Sequence, residues 1–122
     1  MTHKIRLINA RDFISATSDE VLNLEEGEKL LRDVVGVAEP LEHIDILLDT
    51  REAASMLSAA DLWYLADRLT RYPKTFAGRT AILCPNERFD HANFFAQCAE
   101  NKGVKMQAFT SYEDAMNWLS AG

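Results

Sequence analysis

The chain has 122 residues, a formal net charge of −6, 48% hydrophobic and 26% charged residues. That length predicts a single domain, residues 1–122, large enough for a real core. The acidic balance, with no Lys or Arg cluster, argues against nucleic-acid binding, which needs basic side chains on phosphates. No apolar segment approaches the roughly 20 residues of a membrane span. The amino terminus is polar and enters a strand pattern at once, so no signal peptide is visible. Cys84 and Cys98 show no CxxC spacing. Two unpaired thiols suit a reducing, cytoplasmic setting.

In chain order, residues 4–8 and 13–17 alternate apolar and polar around Asn9-Ala10-Arg11-Asp12, which predicts an antiparallel hairpin. Asn23 with Glu26 forms a capping-box pattern. Leu30, Leu31, Val34, Val35 and Ala38 then supply the apolar face of a helix stopped by Pro40. Residues 43–69 are the stretch on which the rest is organised. Ile44, Ile46, Leu47 and Leu48 form a nearly continuous apolar run ending at Asp49, as expected of a central strand covered on both faces. Thr50, Arg51 and Glu52 break the run. Ser58 with Asp61 resembles a second capping box, and Leu62, Leu65, Ala66 and Leu69 recur at helical spacing to a stop near Tyr72-Pro73.

Thr80-Ala81-Ile82-Leu83-Cys84 predicts another buried strand. Residues 89–101 predict a helix with Ala92, Phe95, Ala96 and Ala99 inward and Gly103 just past its end. Val104, Met106 and Ala108 alternate with Lys105 and Gln107, the pattern of a strand near a sheet edge. Ser111 with Asp114 caps a last helix whose apolar set is Tyr112, Ala115, Met116 and Leu119. The order β-β-α-β-α-β-α-β-α predicts a mixed, mostly parallel five-stranded α/β sheet with four helices and right-handed crossovers.

The tail resembles the SpoIIAA-like family, within the STAS fold of bacterial anti-sigma-factor antagonists. Phe109, Tyr112-Glu113-Asp114-Ala115 and Trp118-Leu119 carry the resemblance, with Ile46-Leu47-Leu48-Asp49 and the strand from Arg79 to Leu83. It spans the chain from about Leu30 onward. It implies a cytoplasmic signalling and protein-binding module; some members bind nucleotides or lipids. The antagonists are switched by phosphorylation of a Ser at the start of the helix after the central strand. Here the matching positions are Ala59 and Ala60, so that switch is absent, and Ser58 fits a helix cap.

Tests for chemistry fail one by one. Asp49 ends a strand as a receiver phosphoacceptor does, but the acidic pair for Mg²⁺ and the later Lys are missing. There is no GxGxxG, P-loop or GxSxG. His3, His43 and His91 are isolated and lack metal spacing. Asp90 and His91 are consecutive, and consecutive helix residues diverge by about 100°. The expectation is therefore no enzyme, no cofactor and no metal. The function expected is a regulatory or interaction module that takes a protein partner, a second copy of itself, or a small amphipathic ligand. Asp49, Thr50, Arg51, Ser58, Asp61, Trp63 and Tyr64 are the candidate binding residues. Tyr64 projects well off the core stripe of their helix and Trp63 lies at its border, as partner anchors do. The competing reading is a small thiol-dependent or redox-sensitive protein using Cys84, at a strand end before a helix amino terminus.

Overall fold

A computed structural model describes residues 3–8, 13–18, 21–38 and 44–121. The expected turn at Asn9–Asp12, the stop at Pro40 and the start of the central stretch at His43 lie outside the described residues.

In chain order the elements are β1 (His3–Ile8), β2 (Phe13–Ser18), β3 (Val21–Leu22), α1 (Leu24–Ala38), β4 (Asp45–Asp49), β5 (Ala54–Ser55), α2 (Ala59–Leu69), β6 (Arg79–Leu83), α3 (Phe89–Asn101), β7 (Lys105–Phe109) and α4 (Tyr112–Ser120). A 3₁₀ turn, Asn86–Arg88, leads into α3. β1 and β2 are antiparallel, with His3 opposite Ser18 and Ile8 opposite Phe13. The other neighbours are parallel, in the order β1-β2-β4-β6-β7. The mixed five-stranded sheet with four helices is thus as the periodicity predicts, with β7 at an edge.

That order explains where the helices go. From β2 through β4 and β6 to β7 every crossover steps in the same direction. Right-handed crossovers then put all the connecting helices on one face. Accordingly Leu30, Leu31 and Val34 of α1, Ala66 and Leu69 of α2, and Ala92, Ala96 and Ala99 of α3 share one core with Ile46, Ile82 and Met106. α4 lies across the other face. There Ala115 and Leu119 pack on Leu47, Ala81 and Leu83. The continuous apolar runs of β4 and β6 are explained by this double coverage. Each fully buried Leu or Ile there contributes roughly 1.5–3 kcal/mol.

Local chemistry sets the element ends. Asn23 Oδ1 accepts the Glu26 N–H at 2.8 Å and opens α1. Gly103 adopts φ +95° just after α3, a conformation that costs a glycine little. Two features depart from the sequence reading. β3 and β5 form a separate two-stranded parallel ladder, pairing Val21 with Ala54 and Leu22 with Ser55. Two-residue strands are too short to show a period. Tyr112, expected in the apolar set of α4, is 50% exposed; as the first residue of its helix it lies past the end of β7, beyond the cover of the core.

Candidate functional site

The carboxyl ends of β4 and β6 and the amino ends of α2 and α3 meet at one rim of the sheet, the usual location for sites in open α/β folds. Thr50 extends the β4–β6 pairing by one residue. Its N–H and its hydroxyl both donate to Leu83 O, at 2.8 and 2.9 Å, and the side chain is buried. Asp49 and Arg51 form a fork–fork pair on the outer side. Arg51 Nε lies 3.0 Å from Asp49 Oδ1, and Arg51 Nη2 lies 2.8 Å from Oδ2. The Arg51 N–H adds a third bond to Oδ1 at 3.1 Å. Burial pushes the Asp49 carboxyl up, yet the hydrogen bonds and charge of Arg51 outweigh it and hold the group below its usual range. Asp49 therefore organises the loop that follows it.

Residues 50–57 cross the rim as a strap held at several points. Ala53 N–H donates to Thr50 O at 3.1 Å, and Met56 N–H donates to Leu22 O at 2.8 Å. From the start of α3, Arg88 Nη2 donates to Thr50 O at 2.7 Å and to Ala53 O at 2.6 Å. His91 Nε2 lies 3.1 Å from Ser55 Oγ, which also accepts the Leu57 N–H at 3.3 Å. The strap ends in a full capping box. Ser58 Oγ accepts the Asp61 N–H at 3.1 Å, and Asp61 Oδ2 accepts the Ser58 N–H at 3.0 Å. Ala59 and Ala60 stand exposed at the first turn of α2.

Behind the strap lies a cavity of about 110 Å³. α1 contributes Gly27, Leu30, Leu31 and Val34 to its wall, and α2 contributes Leu62, Leu65 and Leu69. Leu48, Ile82, Phe76 and Phe95 close it, with Leu22 and Leu57 from the strap region. Among the described residues, polar groups reach it only from Thr50, Ser55, Arg88 and His91. An apolar chamber with a few convergent polar groups is the general form of a small-molecule site. The wall does bring Ser55 Oγ to 3.1 Å from His91 Nε2, but among the described residues no third side chain hydrogen-bonds the imidazole to orient it as a base, as nucleophilic catalysis needs.

Of the residues proposed from sequence, Thr50 alone lines this chamber. Ser58 and Asp61 frame it by setting where α2 begins. Asp49 and Arg51 pair with each other outside it. Trp63 and Tyr64 are on the outer side of α2, 51% and 38% exposed, and do not line the cavity. Lys102 Nζ lies 4.2 Å from the centre of the Trp63 ring and 3.5 Å from Asp67 Oδ1. Arg68 stands 5.9 Å from the Tyr64 ring. Sequence reasoning missed Arg88, Ser55 and the chamber role of His91. Nothing in a linear pattern ties residues 50–55 to residues 88–91.

Cys84 is completely buried, with its Sγ 3.5 Å from Phe109 O. Burial pushes its thiol up; the nearby Arg88 charge opposes this without reversing it. A nucleophilic thiolate needs exposure and a lowered value, and Cys84 has neither. Among the described residues no group of three His, Cys, Asp or Glu side chains could hold a metal ion, and no helix is long and apolar enough to cross a membrane.

No family model and no curated protein matches the sequence. A solved structure does: an uncharacterised protein from the DUF3478 family with a SpoIIAA-like fold, from Shewanella loihica PV-4, superposes with a TM-score of 0.65 at 20% identity, over 97% of this chain and 92% of that one. The fold is SpoIIAA-like. At that identity the likeness concerns the backbone arrangement alone. It agrees with the resemblance carried by the strand after Ile46 and by the Phe109–Trp118 tail, whose rings pack with centroids 5.7 Å apart.

Proposed function

We propose that this SpoIIAA-like domain is a non-catalytic regulatory module that takes a small amphipathic ligand in the chamber behind the strap. It presents the occupied state to a protein partner, or to a second copy, through residues 50–58 and α2. One observation carries the reading. The chamber is walled by the same loop and helix that follow the central strand, the region where the antagonists it resembles carry their switch. Ala59 and Ala60 leave no phosphoacceptor at those positions, and a ligand under the strap is a way to alter that surface without one. The burial of Cys84 and the upward push on its thiol weigh against the thiol-dependent alternative.

The experiment is a titration of the ¹⁵N-labelled protein with 1-hexanol, a neutral apolar probe. Saturable amide shifts at Leu62, Leu65 and Phe95 are expected. Shifts that stay linear and scattered over the surface would overturn the reading.

A further inference from the structure

We infer that the chamber selects a monoanionic amphiphile, a carboxylate on a short apolar body, and that Arg88 is its charge partner. This rests on the chamber being a ligand site, as proposed above. Arg88 is half-buried in the chamber wall. No carboxylate of the described residues pairs with it, although the chain carries an excess of acids, −6 in all. A guanidinium stays charged under all ordinary conditions, and a partly desolvated charge without a counter-ion is costly.

The orientation of the group is set in advance. Nη2 spends its two N–H groups on Thr50 O and Ala53 O, at 2.7 and 2.6 Å. Those bonds fix the plane of the guanidinium against the strap. Nε and Nη1 keep three further N–H groups, and none has a protein acceptor among the described residues. A carboxylate oxygen is the natural acceptor for such donors, and charge-assisted bonds of this kind are the strong ones. Among the described residues Arg88 is the single Lys or Arg in the wall, which matches one negative charge. Ser55 and His91, joined at 3.1 Å, supply the neighbouring polar atoms.

The apolar part of the wall sets the size. A chamber of about 110 Å³ is somewhat smaller than the roughly 150 Å³ cavity known to accept benzene. The enclosed body is therefore a small ring or a short chain, and a long acyl tail would have to leave through the mouth.

Isothermal titration with hexanoate, 1-hexanol and hexylamine tests this. Hexanoate is expected to bind at least about tenfold more tightly than 1-hexanol, and hexylamine more weakly than either. Arg88→Gln should bring hexanoate to within about twofold of 1-hexanol. Because Arg88 also holds the strap, the wild-type protein gives an independent reading. Raising NaCl from about 20 to 500 mM should weaken hexanoate severalfold and leave 1-hexanol unaffected. Equal binding of acid and alcohol by the wild type, or no salt effect on hexanoate, would overturn the role of Arg88 and leave the chamber reading standing. If none of the three probes binds, the chamber reading itself falls.

Discussion

Gly27 of α1 lies so close to Leu65 of α2 that a Cβ at position 27 would stand 2.8 Å from Leu65 Cδ1. Both residues line the chamber. The close approach lets the two helices share its wall, and a Cβ at 27 fits only if Leu65 moves. In Gly27→Ala the new methyl meets the mobile end of Leu65, which can rotate into the chamber. Removing a helical glycine gains about 1 kcal/mol of propensity, and the clash costs a similar amount. Urea unfolding should place the variant within about 1 kcal/mol of the wild type. Binding of 1-hexanol should fall about tenfold, because the chamber is partly filled. Unchanged binding would show that the ligand sits elsewhere.

Ser58 is bound to its role by two reciprocal hydrogen bonds with Asp61. Ser58→Ala should cost about 1 kcal/mol, and Ser58→Asn should retain most of the stability, since Asn caps as well as Ser. Asparagine cannot be phosphorylated. If Ser58→Asn folds normally yet loses partner binding in the cell, the hydroxyl has a use beyond the cap.

Asp49 and Arg51 make stability depend on pH in a defined direction. The folded carboxyl is held below the ordinary aspartate value of 3.8. The unfolded chain therefore takes up this proton more readily than the folded one, and stability rises with pH through that window. The contribution is complete above the ordinary value and is lost as pH falls through the lower, folded value. Arg51 is 44% exposed, so solvent screening limits the pair to about 0.5–1 kcal/mol. Asp49→Asn should be less stable than the wild type by that amount at pH 7. The difference between the two should narrow in chemical denaturation as pH falls below 3.8.

Trp63 and Lys102 tie the outer side of α2 to the end of α3. With the ammonium 4.2 Å from the ring centre, a double-mutant cycle of Trp63→Ala and Lys102→Ala should return a coupling of about 0.5–1 kcal/mol. A coupling near zero would leave Trp63 free of any structural duty and strengthen its use as a partner anchor.

Much of this was legible in the residues themselves. The apolar runs at 44–48 and 80–84 mark buried parallel strands because a strand covered on both faces has no polar side to show. The 3.6-residue spacing of Leu62, Leu65, Ala66 and Leu69 marks α2, and its capping box with Ser58 and Asp61 is a contact between near neighbours. The pairing of β3 with β5 left no trace, because two residues carry no period. Tyr64 stands off the core stripe as read, but Trp63, read at its border, is the more exposed of the two, because a helical period cannot say which neighbour overhangs that side.

The chamber belongs to a different level. Local spacing determined the order of elements, their ends and their buried faces, since those depend on residues within a few positions of one another. Only the tertiary structure decided that Arg88 reaches Thr50 and Ala53, that His91 meets Ser55, and that Gly27 lies too close to Leu65 for a Cβ. These contacts join residues 35 to 38 positions apart. They exist because one-way, right-handed crossovers bring α1, α2 and α3 together on one face of the sheet. A bond between distant positions leaves no period in the chain, so its partners are visible only once the sheet order is known.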